Sequence, residues 1–323
     1  MNANQRQPQA LHDPRFTLVD GRTRPEFMLV GGMKCGSTSF ARYLSAHPQV
    51  RTQGPKEPHY WSWHRFPARY QNFFVNESPN LDPGPGQYIS GEFSTSSLIH
   101  PLVPRRVRAN LPGLKIFILL RNPVDRAYSH FNMSKIAGLE KECSFEEIVC
   151  REMDEIPELL RAHERGFLAS DGNSKTCYST VDGAPICVAK HERGLPERTL
   201  RDDLDLRDFY FQSYVFRSLY HDQVHRWLRL YPRQQLMLIR SESFFENEAG
   251  TMNEVAEFLG LESFDFDSAD QLKRSWDAGA KNSLEMPEAY HAMDDATHRL
   301  LADFFEPYNQ QLYRLIGENY GWD

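Results

Sequence analysis

The sequence has no apolar run approaching the ~20 residues that a helix needs to cross a bilayer, so a membrane-spanning protein is not expected. It has no surplus of positive charge. Against 37 Lys and Arg stand 44 Asp and Glu, a formal net charge of −7. That excludes bulk affinity for nucleic acid and requires any phosphate site to be local. Cysteine is scarce: Cys35, Cys143, Cys150, Cys177 and Cys187 include no C-x-x-C, so no zinc signature is present. Their odd number argues against a full disulfide framework, and a pair between Cys177 and Cys187 stays open. There is no internal repeat and no low-complexity segment. Residues 1–24 are polar, lack the apolar core of a signal peptide and read as a flexible leader. The expectation is a cytoplasmic protein with a single α/β domain over 25–323.

What is present alternates between two periodicities. "EFMLVGG" is a short apolar run ending in glycines, as in a buried parallel strand. "STSFARYLSAHP" follows with Phe40, Tyr43 and Leu44 at helical spacing and Pro48 as a stop. Residues 51–90 read as loops, with a short strand near Tyr88–Glu92. "LKIFILLRNP" is the clearest strand, and "PVDRAYSHFNMSKI" opens a helix with Pro123 at its first position and Val124, Ala127, Tyr128 and Phe131 facing inward. A helix is expected over 145–163, and a polar, turn-rich insert, read as a lid, over 166–205. A helical pattern returns from Phe211 to Leu230, "QQLMLIR" gives another strand, and "NEVAEFLGL" and "RLLADFFEPYNQQLYRLIG" give helices. This order predicts a central parallel sheet flanked by helices, P-loop-like, with ligands beyond the carboxyl ends of its strands.

Two turns at such ends carry the chemistry. In "GGMKCGSTSF", Gly31, Gly32 and Gly36 let backbone N–H groups turn toward an anion. The following helix adds its positive end, Lys34 a full charge, and Ser37, Thr38 and Ser39 hydroxyl donors. The lysine precedes the last glycine, so the run is not G-x-x-x-x-G-K-[ST]. A solvated βα turn is the bland alternative, and the number of donors weighs against it. The second turn, "RNPVDRAYS", begins with Arg121 where a Mg²⁺-using NTPase needs an acid. Arg121 suits a second anion as a charge-assisted fork, with Ser129 donating from the next helical turn; the alternative is an ion pair with Asp125. Two anion sites without a metal set suit a nucleotide carrying two separate phosphates.

On these residues the chain resembles a sulfotransferase dependent on 3′-phosphoadenosine 5′-phosphosulfate (PAPS), of the branch with heparan-sulfate and bacterial carbohydrate or natural-product enzymes. "GGMKCGSTSF" resembles the family's 5′-phosphosulfate loop and "LLRNPVDRAYSHF" its 3′-phosphate motif. "GPKEPHYW" resembles the segment with the catalytic acid, and "LYHDQVHRWLRLYPRQQLMLIRSESFFENEAGTMNEVAEFLGL" and "FFEPYNQQLYRLIG" its C-terminal half. The likeness runs over about 26–320, the insert excepted.

The resemblance implies that Lys34 contacts the phosphosulfate, that Cys35, Gly36, Ser37, Thr38 and Ser39 form the 5′-phosphate loop, and that Arg121 and Ser129 hold the 3′-phosphate. It makes Glu57 the general base and places Lys281 of "WDAGAKNS" in the loop over the product nucleotide, adenosine 3′,5′-bisphosphate (PAP); Lys56, beside Glu57, is a catalytic candidate that either binds the sulfuryl group or stays in solvent. No metal is expected. His59 and His64 are rivals for the base; Tyr60, Trp61 and Trp63 are pocket or core aromatics. One departure stands out: heparan-sulfate enzymes have E-K-[ST]-P where this chain has "GEFSTSS", with Phe93 at the lysine position. A small-molecule or sugar acceptor is the reading. The alternatives are a P-loop kinase-like phosphotransferase, which would need Mg²⁺, and a nucleotide-binding module without turnover.

Overall fold

A computed structural model describes residues 25–52, 57, 58, 60–62, 89–140, 143–169, 213–268 and 292–322. Its elements are β1 (Phe27–Gly31), α1 (Ser37–Ala46), β2 (Val50–Thr52), β3 (Ile89–Phe93), α2 (Val103–Asn110), β4 (Lys115–Leu120), α3 (Pro123–Ile136), α4 (Phe145–Ala169), α5 (Tyr220–Leu228), β5 (Leu236–Arg240), α6 (Ser241–Glu246), α7 (Glu248–Leu259) and α8 (Asp295–Ile316). All strand pairs are parallel, in the order β2-β3-β1-β4-β5. The chain leaves β1 for β2 and β3 on one side, then crosses to β4 and β5 on the other. β1 therefore stands at the topological switch point, where ligands of open α/β sheets bind.

Strand alternation sorts the core into two layers. Phe27 and Leu29 of β1, with Phe117 and Leu119 of β4, pack on Phe40 and Leu44 of α1 and Val255 and Leu259 of α7. Met28, Val30, Ile116, Ile118 and Leu120 face the other way, onto Val107 of α2, Val224 and Trp227 of α5, and Leu312 and Tyr313 of α8. Both faces are covered, so β1 and β4 read as continuous apolar runs.

Several boundaries differ from the sequence reading. The strand expected near Tyr88–Glu92 is β3, one residue later, and β2 is an additional edge strand within a stretch read as loops. α4 continues to Ala169, so the insert loses its first four positions to a helix; its remainder, with Cys177 and Cys187, lies outside the described residues. Between Phe211 and Leu230 the described chain first makes a 3₁₀ turn, Phe216–Ser218, and only then α5. The last segment is one helix, with Pro307 inside it. α7 ends as read, at Gly260 in the left-handed region (φ 75°).

Candidate active site

The first loop leaves the carboxyl end of β1 and enters α1. Gly31 passes so close to Leu98 that an added Cβ would lie 2.4 Å from the leucine Cβ. Gly36, at φ 86°, is the N-cap of α1. Among the described residues no side-chain hydrogen bond caps this helix, and no acidic residue lies in its first turn to offset its positive end. Ser37, Thr38 and Ser39 occupy that first turn as the sequence reading requires. Cys35 is placed differently from the hydroxyls. Its thiol is buried, 3.9 Å from the Tyr220 hydroxyl, and burial pushes its pKa up. Its N–H donates to the Gly32 carbonyl (3.3 Å), so it serves the loop's shape.

The second loop leaves the carboxyl end of the neighbouring strand β4. Asn122 caps α3, its Oδ1 accepting from the N–H groups of Val124 (2.9 Å) and Asp125 (3.4 Å), with Pro123 next. Arg121 is half-buried. The Asp125 pairing weighed above exists only as a 3.8 Å contact between side chains 34% and 52% exposed, an arrangement worth little in water. Ser129 lies two turns along α3, half-buried. The loop's backbone is held from behind: the Tyr220 hydroxyl donates to the Arg121 carbonyl (2.9 Å) and Glu242 Oε1 accepts from the Asn122 N–H (2.8 Å).

Glu57 is brought to the same edge by β3. Its N–H donates to the Phe93 carbonyl (2.8 Å), and its carboxylate accepts from the Thr95 N–H (2.8 Å) and Oγ1 (2.9 Å). The stretch it grips lies against β1, because Ser94 N–H donates to the Leu29 carbonyl and Leu98 N–H to that of Val30. Among the described residues, the non-glycine residues at positive φ are Lys34 (68°) and Glu57 (62°). Backbone held in that region without glycine costs of order 1 kcal/mol or more and clusters at functional sites. Tyr60 and Trp61 are core residues. Lys56, His59, Trp63, His64 and Lys281 lie outside the described residues.

Sequence reasoning missed the buried charges, among them two beside the site. Arg126, one turn into α3, is fully buried; its Nε donates to Ser218 Oγ (2.6 Å) and its Nη2 to the Tyr214 carbonyl, fixing the segment before α5 against the second loop. The available signal was its place three residues after Pro123 and four before His130, both buried, and its charge overrode it. Glu92, on β3, is also buried, accepting from Trp61 Nε1 (2.9 Å) and Ser94 Oγ (2.5 Å).

Burial, with a smaller push from Glu57, raises the Glu92 pKa from 4.5 to about 7, against the opposing hydrogen bonds from Ser94 and Trp61. The sign follows from proton linkage. In the unfolded chain this carboxyl ionises first, so its contribution to stability is full below pH 4.5 and lost as pH rises to about 7. The loss is on the order of 3 kcal/mol. Urea unfolding at pH 5 and pH 8 should therefore show wild type losing more stability than Glu92→Gln across that interval. Parallel losses would mean that Glu92 folds in already ionised.

The sequence profile of the sulfotransferase domain matches residues 24–289. Among curated proteins, the chain is 25% identical to the membrane-associated sulfotransferase kil1 of Dictyostelium discoideum, over 92% of this chain and 66% of that protein. It is 26% identical to human heparan sulfate glucosamine 3-O-sulfotransferase 6, over 94% and 75%. With human bifunctional heparan sulfate N-deacetylase/N-sulfotransferase 2 it shares 24% identity over 90% of this chain but 29% of that protein. Among solved structures, a sulfotransferase from Alicyclobacillus acidocaldarius superposes with a TM-score of 0.59 at 24% identity, covering 93% of this chain and 99% of that one, which agrees with the fold. Among the described residues no helix is long and apolar enough to cross a membrane.

Proposed function

We propose a reaction for a chain that belongs to the sulfotransferase domain family: it moves a sulfuryl group from PAPS to a hydroxyl or amine of a small-molecule natural product or sugar. The observation that carries this reading is the strained backbone at Lys34, in the loop after the switch-point strand β1, and at Glu57, bonded to the end of its neighbour β3. Lys34 and the uncapped start of α1 face the donor's 5′-phosphosulfate. The S–O bond to the bridging oxygen breaks, its electron pair passes to the departing phosphate, and Lys34 and the α1 N–H groups stabilise the charge that grows there. Thr38 and Ser39 hold the 5′-phosphate; Arg121 and Ser129 hold the 3′-phosphate. The acceptor oxygen or nitrogen forms the new bond to sulfur while Glu57 takes its proton.

A natural-product acceptor rather than a heparan-like chain is favoured by Phe93, an apolar and buried residue at the position of a lysine in the heparan-sulfate pattern. The three described cysteines, Cys35, Cys143 and Cys150, are free thiols, which suits the cytoplasmic setting included in this reading.

The test is calorimetry of PAP against AMP, followed by transfer of label from PAPS to a panel of acceptors with EDTA present. PAP should bind far more tightly than AMP. Arg121→Ala and Ser129→Ala should each weaken PAP by the ~1.5–3 kcal/mol of a charge-assisted bond and leave AMP unchanged. Equal affinities of the wild-type chain for PAP and AMP would refute the 3′-phosphate assignment.

A further inference from the structure

The two loops that face the nucleotide come from different strands and do not hydrogen-bond to each other in any contact described above. Tyr220 reaches both, with its hydroxyl 3.9 Å from the Cys35 thiol and bonded to the Arg121 carbonyl, and a third turn, between β5 and α6, joins them through two further hydrogen bonds. Ser241, buried, donates from Oγ to the Cys35 carbonyl in the first loop (2.8 Å). Glu242, the next residue, accepts with Oε1 from the Asn122 N–H in the second loop (2.8 Å). The other carboxylate oxygen accepts from Arg240 Nε (3.3 Å) and from the indole N–H of Trp322 (3.3 Å). Trp322 is itself fixed: its N–H donates to the Tyr313 hydroxyl oxygen in α8 (3.0 Å), and its ring packs near that of Tyr220, whose hydroxyl holds the Arg121 carbonyl.

The carboxylate is paired with Arg240 (3.3 Å), yet its charge also bears on the neighbouring loops. It sits one residue from Arg121, beside loops suited to anions, and opposes the binding of a phosphate. A negative group kept in such a place needs a return, and its bonds supply one. It cannot act on the 3′-phosphate directly, because carboxylate and phosphate repel. It can set where the Asn122 N–H lies, and with it the direction in which Arg121 leaves β4.

We infer that Ser241 and Glu242 hold the two anion loops in register, and that Glu242 is the positioning residue through which the chain selects a nucleotide with a 3′-phosphate. The two residues have separable effects. Ser241 touches only the loop for the 5′-phosphate, which AMP and PAP share. Of the two anion loops, Glu242 bonds to the one for the 3′-phosphate, a group that AMP lacks. This inference rests on the nucleotide reading above, and the wild-type chain tests that reading first: without a preference for PAP over AMP, the reading itself fails.

Given that preference, calorimetry of PAP and AMP with three variants decides the inference. Glu242→Ala should raise the PAP dissociation constant about tenfold and leave that of AMP within about twofold, so that the selectivity ratio falls. Glu242→Gln, whose amide oxygen still accepts from the Asn122 N–H, should restore most of the ratio. Ser241→Ala should weaken both nucleotides by the same factor and leave the ratio intact. A purely structural Glu242 would instead lower the melting temperature and weaken both nucleotides together, and that result would overturn the inference. If Glu242→Ala does not fold, Glu242→Asp keeps the charge one methylene short of Asn122. It should show the same loss of ratio, and an unchanged ratio in that variant would overturn the inference as well.

Discussion

Glu57→Gln should reduce turnover by ~10²–10⁴, the worth of a positioned general base, while PAP affinity stays within about twofold of wild type. The substitution is unusually clean at this position. The Gln amide oxygen can still accept from the Thr95 N–H, and its NH₂ group can donate to Thr95 Oγ1, whose hydroxyl turns to accept. The grip on the turn after β3 therefore survives, and so does the β3-side bond from the Glu57 N–H to the Phe93 carbonyl. The negative charge and the capacity to take a proton are removed. PAP makes no demand on that capacity, since a carboxylate is no ligand for phosphate. Measuring kcat beside the PAP dissociation constant separates the two roles. Near-native turnover would reduce Glu57 to a cap on the Thr95 turn and move the base to His59 or His64.

The sheet and its two chemical turns were legible because they rest on local rules. "EFMLVGG" and "LKIFILLRNP" are apolar on both faces since both faces of β1 and β4 are buried, and a glycine run or Asn-Pro marks where each strand must turn. Pro123 and the Asn122 cap fix the start of α3 within four residues of sequence. What was not legible depends on partners distant in the chain. β2 is three residues long and exists because β3 offers it an edge. Ser241 and Glu242 look like an ordinary polar start to a short helix until Cys35 and Asn122, some hundred residues and more away, are brought to them. Arg126 and Glu92 were hidden for another reason: a charged residue is read as solvated, and nothing local reveals that Ser218, Tyr214, Trp61 and Ser94 will enclose it. The resemblance pointed to Lys34 and Glu57, yet the positive φ they share is visible only in three dimensions.

That strain gives the sharpest expectation for Lys34. At φ 68° a lysine pays for a conformation that glycine adopts freely, so on conformational grounds alone the loop favours Gly at this position. Lys34→Gly should therefore be at least as stable as wild type, read as an equal or higher melting temperature. The same variant should lose ~10²–10³ in turnover, the cost of removing one preorganised donor at the site where charge develops. It should also weaken PAP by about tenfold or more, because the proposed reaction has the ammonium meet the 5′-phosphate in the ground state as well. This pattern differs in kind from that of Glu57→Gln, which spares binding. Lys34→Ala, with a Cβ still held at positive φ, should match the glycine variant in turnover and fall below it in stability. A glycine variant that is both stable and fully active would take Lys34 out of the chemistry and leave the phosphosulfate to the uncapped N-terminus of α1.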